Sequence, residues 1–329
     1  MRIMINGFGR IGRAALKIAL DQGVAVVRIN DIVDATTLAY LLKYDTVYGV
    51  YPHDVQAGDG ELRVGGTSIP ISNLKDPALL PHKDDKVDVV LEATGIFLTR
   101  EDARKHLDAG AKKVLITAPA KSPVDGNFIV GVNEDQYDGD KHAVITIGSC
   151  TTNCVVPMAK VIHDAFTIVH GSMTTVHAYT STQALVDVPA KKPERGRAAA
   201  ENIVPTTTGA AKMIGKIITD LEGKVDGMAL RVPIPCGSIT DMTCQVEQPT
   251  SAEEVNKAFQ DYARGCGTGV LTIATDPLVS HDIVGNPSSC VLAAEHTNVV
   301  DDKLVKVLGW YDNEWGFSTR LIDMAKRMV

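Results

Sequence analysis

The chain is 329 residues long, 45% hydrophobic and 22% charged, with a formal net charge of −7. That length exceeds what one hydrophobic core usually serves, so two domains are expected. Mild acidity and scattered basic residues argue against a nucleic-acid or anionic-membrane partner, and no run reaches the roughly 18 apolar residues of a membrane helix.

The sequence enters a strand-like run, Ile3-Met4-Ile5, at once, which reads as a start without a signal peptide. Six unevenly spaced cysteines do not resemble a disulfide framework, so a reducing, cytoplasmic compartment is expected. In chain order, strands are predicted at Arg2 to Ile5, Val24 to Ile29, Val87 to Leu91, Lys113 to Ile116 and Val144 to Ile147. Helices are predicted at Ile11 to Gln22 and Arg100 to Ala109. Strand–helix–strand units of this kind imply an α/β, doubly wound, Rossmann-type parallel sheet that binds ligands at the carboxyl ends of its strands.

The texture changes after Cys150. A helix is predicted at Val155 to Phe166, then strands at Gly171 to His177, Val225 to Val232 and Asp241 to Glu247. A helix at Glu253 to Tyr262, a strand at Lys306 to Tyr311 and a last helix at Phe317 to Met328 follow. This half is expected to be an α+β arrangement with a mostly antiparallel sheet. Ala178 to Glu201 has no clear periodicity, and long irregular segments inside compact domains are more often functional than accidental.

Asn6-Gly7-Phe8-Gly9-Arg10-Ile11-Gly12-Arg13 holds a G-x-G-x-x-G pattern between the first strand and first helix. Glycines there permit a tight turn, a close approach to a pyrophosphate and close helix–strand packing, and the helix N-terminus adds amide donors. Asp31, 19 residues after Gly12, ends the second strand. A carboxylate there can bind both ribose hydroxyls and would repel the extra phosphate of NADP, so NAD is the expected cofactor. The competing reading is a structural turn with a surface Asp.

Gly148-Ser149-Cys150-Thr151-Thr152-Asn153-Cys154 sits where a strand ends and a helix begins. A thiol at a helix N-terminus is expected to have a lowered pKa, and Ser149 and Thr151 would offer hydroxyls to an anion. Cys150 can equally be a buried inert cysteine, although zinc is disfavoured because C-x3-C has no second ligand pair nearby. His177, at the end of a strand, is the best candidate base among nine histidines, and a structural role is its alternative.

Ser149-Cys150-Thr151-Thr152-Asn153-Cys154, His177-Ala178-Tyr179-Thr180 and Pro205-Thr206-Thr207-Thr208-Gly209-Ala210-Ala211-Lys212 together resemble the glyceraldehyde-3-phosphate dehydrogenase family. Leu230-Arg231-Val232-Pro233 and Trp310-Tyr311-Asp312-Asn313-Glu314-Trp315-Gly316 follow in that family's order. The resemblance implies an NAD-binding domain of residues 1–149, completed by the helix 316–329, and a catalytic domain of residues 150–315. It implies Cys150 as nucleophile and His177 as base in the phosphorylating oxidation of D-glyceraldehyde 3-phosphate with inorganic phosphate. Gly7, Gly9, Arg10, Ile11, Gly12, Asp31, Lys75, Thr117 and Asn313 would hold NAD, Asn313 through the nicotinamide carboxamide. Thr180 and Arg231 would hold the substrate's phosphate, and Ser149, Thr151, Thr208 and Gly209 the inorganic phosphate, with Arg195 near both. A homotetramer is implied as well.

The chain departs from the commonest family pattern at several places. Gly148 stands for a small Ala and should loosen its turn; Thr182 stands for Asp and should remove a polar contact. Phe317 stands for Tyr, Lys75 for Arg, and the run Ala190-Lys191-Lys192-Pro193-Glu194 also differs. Rival readings are an erythrose-4-phosphate dehydrogenase and a non-catalytic regulatory relative. The intact His-x-Tyr-Thr and Pro-Thr-Thr-Thr-Gly runs weigh against the first, and the presence of Cys150 and His177 against the second. Asp31 with Pro189 weighs against NADP use.

Overall fold

The computed structural model describes all 329 residues. They form two compact units: Met1–Phe128 with Glu134–Gly148 and Ser318–Val329, and Ile129–Asn133 with Ser149–Phe317.

In the first unit, short β-branched runs lie side by side in a nine-stranded sheet. Its order is Gly126–Asn127, Val144–Thr146, Lys113–Ile116, Val89–Glu92, Arg2–Asn6, Ala25–Asn30, Thr67–Ser72, Glu61–Val64, Val55–Gly58. The first seven are parallel, and the last two return antiparallel. Ile3, Met4, Ile5, Val89 and Val90 are all 0% exposed, as required of central strands covered on both faces. From Arg2–Asn6 the chain builds outward to Ala25–Asn30 on one side and later to Val89–Glu92 on the other. This reversal is the point where doubly wound sheets open a crevice. The helices Arg10–Asp21 and Arg100–Asp108 match the expected ones to within a residue or two.

The sequence reading passed over residues 35–72. They hold the helix Ala35–Lys43, capped by the Asp34 side chain on the Thr37 amide, and the antiparallel meander at the sheet edge. Gly58, Gly60, Gly65 and Gly66 crowd this meander and break its alternation into runs of only 4 to 6 residues.

The second unit is built on a sheet in the order Val204–Thr207, Val225–Val232, Ile168–Ala178, Ser238–Val246, Leu304–Tyr311, Cys290–Leu292, Leu271–Ile273. Most neighbours are antiparallel, but Ile168–Ala178 runs parallel to Val225–Val232, and Cys290–Leu292 to Leu271–Ile273. Buried and less buried positions alternate along Ser238–Val246, so one sheet face packs inward. The helices Cys150–Phe166, Ala210–Ile217 and Ala252–Arg264 bring Val155, Met158, Ile162, Ile214 and Phe259 onto that face.

The helix expected at Val155 begins at Cys150 instead, because Ser149 caps it by accepting from the Thr152 amide at 3.1 Å. The last helix is Trp315–Arg327 rather than Phe317–Met328. Its start is fixed by Asp312, whose carboxylate accepts from the amides of Glu314 and Trp315, each at 2.8 Å.

Gly12 is where the first unit is least tolerant. A Cβ there would lie 2.2 Å from the Gly7 carbonyl oxygen and 3.2 Å from the Ile5 side chain. Gly12→Ala is therefore expected to destabilise the unit by about 1–3 kcal/mol, the usual cost of overpacking. Urea denaturation checks this, and an unchanged midpoint would show that the turn has slack.

Candidate active site

The carboxyl ends of the central strands in the first unit open into a cleft of about 540 Å³ lined by Gly7, Gly9, Asp31, Lys75, Thr94 and Phe97, among others. Gly7 has φ +94°, and a Cβ there would sit 2.5 Å from the Thr94 amide nitrogen, so only glycine closes this turn. At Gly9 a Cβ would meet nothing within 4 Å, which leaves that backbone open to a ligand. Asp31 accepts from the Phe8 amide at 2.7 Å and from the Val33 amide at 3.0 Å. Its carboxylate thus ties the glycine turn to the end of the second strand and keeps lone pairs for ribose hydroxyls. A glycine-lined wall, a helix start and a carboxylate at the strand end fit a dinucleotide.

Not every expected cofactor residue lines this cleft; Arg10, Ile11, Gly12 and Thr117 do not, nor does Asn313, which belongs to the second unit. The Arg10 guanidinium reaches Asp45 at 2.6 Å and lies over the Tyr48 ring. Thr117 donates its hydroxyl to the Glu92 carbonyl at 3.1 Å.

In the second unit, parallel pairing sets His177 opposite Arg231 in register, and the helix start presents Cys150 to the same place. Cys150 Sγ lies 3.4 Å from His177 Nε2. His177 Nδ1 lies 2.7 Å from the Ala178 carbonyl and 2.7 Å from an Arg231 guanidinium nitrogen, which itself donates to that carbonyl at 2.8 Å. When Nδ1 carries the proton and donates it to the carbonyl, Nε2 presents its lone pair to the thiol, as a base must.

The electrostatics correct one expectation. Cys150 is partly exposed as a residue, yet burial of its sulfur pushes the thiol up to about 11 rather than down. Arg231 and the Thr151 amide and hydroxyl pull the other way without overcoming that burial. Burial also lowers His177 to about 3, assisted by the charges of Arg231 and Arg195. The resting pair is therefore neutral thiol and neutral imidazole. Cys154, one turn on, is fully buried and contacts the Met158 sulfur and the Gly309 carbonyl, as expected of a core position.

The remaining predicted residues divide. Thr151 is buried, and its hydroxyl pairs with the Tyr311 hydroxyl at 2.9 Å, so it is already engaged. Ser149 caps the helix and pairs with the Thr152 hydroxyl at 2.9 Å. Arg195 donates to Thr206 at 2.9 Å, and its charge is felt at His177 and Arg231. Thr208 accepts from the Ala210 amide at 3.2 Å, and Gly209 caps the helix Ala210–Ile217 without a side chain. Thr180 pairs with Thr182 at 2.9 Å, so the threonine in place of Asp makes a polar contact rather than losing one. No hydrogen bond joins the side chains of Ser149, Thr180 or Thr208 to Cys150. Gly148 has φ +72°, so glycine suits this turn and an alanine would strain it.

Two residues that sequence reasoning missed organise the site. Tyr311 is 1% exposed and bridges Thr151 with Thr175, at 2.9 and 2.7 Å, while its ring stands edge-on to His177 with centroids 6.0 Å apart. Ser238 accepts from the Ala178 amide at 3.1 Å and donates to Asn313 Oδ1 at 2.9 Å, which links the residue after the base to Asn313. A tyrosine and a serine on strands carry no local signal beyond strand preference; only the strand order brings them here.

A dinucleotide-type α/β unit and a second unit that brings a cysteine, a histidine and an arginine together fit a nicotinamide-dependent dehydrogenase. The glyceraldehyde 3-phosphate dehydrogenase NAD-binding domain model matches residues 1–100, and the C-terminal domain model of the same family matches residues 149–313. "Glyceraldehyde-3-phosphate dehydrogenase 2" of Streptomyces avermitilis is 50% identical over 327 residues, 99% of this chain and 97% of the relative. The Geobacillus stearothermophilus protein called glyceraldehyde-3-phosphate dehydrogenase is 48% identical over 326 residues, again 99% and 97%. The Mycobacterium avium one is 50% identical over 333 residues, with the same coverage. The chain belongs to the glyceraldehyde-3-phosphate dehydrogenase family, and its cofactor is NAD.

Tyr311→Phe removes the hydroxyl that Thr151 and Thr175 share. The variant is expected to lose about 1–3 kcal/mol, the cost of buried polar groups left without a partner. It should also slow alkylation of Cys150, whose neighbour Thr151 loses its anchor. Denaturation and alkylation rates check this; wild-type values for both would remove Tyr311 from the site.

Proposed function

We propose that this chain oxidises D-glyceraldehyde 3-phosphate to 1,3-bisphosphoglycerate with NAD and inorganic phosphate. The observation that carries the reading is the Cys150–His177 pair at 3.4 Å, with Arg231 against the same histidine. The Cys150 sulfur attacks the aldehyde carbon as its proton passes to His177 Nε2 and on to the carbonyl oxygen, so a hemithioacetal forms and the ring is a free base again. His177 next removes the hydroxyl proton as the carbon is oxidised to a thioester. Bound NAD supplies the acceptor for the two electrons and hydrogen that leave that carbon. Inorganic phosphate then attacks the thioester carbonyl, the C–S bond breaks and the acyl phosphate is released.

A thiol near 11 can serve because its proton acceptor is adjacent. The proton passes between a sulfur and a neutral imidazole nitrogen that lie 3.4 Å apart, and the Arg231 charge favours the thiolate left behind. Arg231 with Thr180 is read as the holder of the substrate phosphate. Once Arg231 turns to that anion, the Ala178 carbonyl is left as the Nδ1 partner, which favours the base form of the ring. Ser149, Thr151, Thr208 and Gly209 are read as the inorganic phosphate site, with Arg195 nearby. Thr151 must exchange its Tyr311 contact to take part. Gly7, Gly9, Arg10, Ile11, Gly12, Asp31, Lys75 and Thr117 are assigned to NAD, Arg10 and Ile11 through backbone amides. Asn313, its carbonyl oxygen fixed by Ser238, is assigned to the nicotinamide carboxamide.

Residues 1–149 with 316–329 are taken as the NAD-binding domain and 150–315 as the catalytic one. A homotetramer is proposed by family resemblance, and Leu185 and Val186, 78% and 69% exposed in the irregular segment, favour cover by another copy. A glycolytic role in the cytoplasm is proposed on the same resemblance; no helix is long and apolar enough to cross a membrane.

Purified protein with NAD, glyceraldehyde 3-phosphate and phosphate is expected to show a burst of NADH. Cys150→Ser should abolish the burst, by more than a thousandfold in rate, while NAD binding changes less than about threefold. Substantial turnover in that variant would remove Cys150 from the nucleophile's role. Erythrose 4-phosphate should be the poorer substrate.

A further inference from the structure

The mechanism above leaves unused a fully buried polar chain in the first unit. Glu92, the last residue of its strand, is 0% exposed, as are His106 and His82. One Glu92 oxygen accepts from Asn6 Nδ2 at 2.6 Å and lies 3.0 Å from His106 Nε2. The other accepts from the Thr94 amide at 3.0 Å and from the Thr94 hydroxyl. Asn6 Oδ1 accepts from Asn30 Nδ2 at 2.7 Å, and the Asn30 amide is fastened to the backbone of Leu74 at 2.9 and 3.0 Å. Asn6, Asn30, Leu74 and Thr94 all line the cleft; Glu92, His106 and His82 lie behind it.

The direction of every hydrogen bond follows from this. Asn30 donates to Asn6, Asn6 donates to Glu92, and Thr94 donates twice. A carboxylate in this place therefore has to be an acceptor only. His106 is 2.9 Å from His82 Nε2, and His82 Nδ1 is buried without a partner. The arrangement that leaves no buried N–H unpaired has His106 Nε2–H donating to Glu92 and His82 Nε2–H donating to His106. It leaves one bare ring nitrogen, a lone pair rather than a proton, at the blind end. Burial lowers His82 to about 4, in keeping with a neutral ring there. The whole chain thus points its donors at a single carboxylate.

We propose that Glu92 is the positioning residue of the NAD cleft. It fixes the Asn6 amide beneath the glycine turn and the Thr94 peptide against Gly7, and His106 holds the carboxylate from behind. The proposal rests on the reading of this cleft as the NAD site. A Cβ at Gly7 would lie 2.5 Å from the Thr94 amide nitrogen, so the turn has little room, and a shift of residues 93–95 toward it would press it against the cofactor.

The test is NAD titration by calorimetry on the full-length protein. Glu92→Gln puts an NH2 group where two donors converge, and is expected to weaken NAD at least tenfold. The loss should fall on the KM for NAD and not on that for glyceraldehyde 3-phosphate. Adding Asn6→Asp reverses donor and acceptor across the pair while keeping one buried charge. The double variant should recover NAD affinity to within about threefold. A folded Glu92→Gln protein with wild-type NAD affinity, or a double variant no better than the single, overturns the proposal. Should Glu92→Gln fail to fold, Thr94→Val and His106→Gln carry the test. The first should weaken NAD several-fold, the second, which keeps a donor, should not; equal affinities in both again overturn it. Asp31→Ala separates the two readings: if it leaves NAD affinity intact, the cleft itself has been misassigned.

Discussion

The chemistry of this chain depends on one register: the parallel pairing of Ile168–Ala178 with Val225–Val232. Parallel strands in a mostly antiparallel sheet need a long connection, and here it contains the irregular segment, the strand Val204–Thr207 and the helix Ala210–Ile217. What that connection secures is a histidine and an arginine as neighbours at the same sheet level, with both side chains withdrawn from water. A slip of one residue would turn every side chain of the strand to the opposite face, and His177 would no longer meet Cys150. The buried alternation along Ser238–Val246, on the other flank of Ile168–Ala178, holds the register against such a slip.

Within that frame, two effects on the thiol compete. A helix N-terminus and a guanidinium favour thiolate, and withdrawal from water favours thiol. Burial wins at rest, outweighing the guanidinium and the Thr151 donors. The same burial lowers His177, so the pair stays neutral together. A neutral pair costs little desolvation before substrate arrives, while the Arg231 charge stands beside the position where negative charge must develop. The site is thus built for a charge that appears during reaction rather than one stored beforehand.

The sequence made some of this legible and hid the rest for physical reasons. The glycine turn, Asp31 and the five parallel strands were readable because each depends on local chain geometry: turns that only glycine closes, runs too apolar for anything but a buried strand. Cys150 and His177 were readable as candidates and were paired by the family resemblance, but local pattern alone could not bring them together across a separation of 27 residues and a strand pairing. Tyr311 belongs to the run Trp310 to Gly316 that carries the family resemblance, but nothing local marks it as the partner of Thr151, 160 residues away. The helix start at Cys150 was placed late because Thr151, Thr152 and Asn153 are poor helix formers, and the Ser149 cap and core packing override that preference. The meander before Ser72 was missed because its glycines and short strands blur the period of two.

Both units solve a related problem by a related means. A ligand-facing backbone has to be rigid although it lies at the end of a strand, where ladder hydrogen bonds run out. In the first unit the strand-end residues Asn6, Asn30 and Glu92 tie their side chains to one another and to the loops that follow. In the second, Ser238 ties the Ala178 amide to Asn313, and Tyr311 ties Thr151 to Thr175. Each tie is a hydroxyl, amide or carboxylate that donates on one side and accepts on the other, or accepts only, so its orientation is fixed by the protons around it. Such polar nodes are costly if half satisfied, and here nearly every member has its partner. The departures from the commoner family residues at Gly148, Thr182 and Phe317 fall outside these nodes. Gly148 occupies a left-handed turn that glycine fits, Thr182 remakes a polar contact with Thr180, and Phe317 is buried as an apolar ring. None of the three is a node in either network.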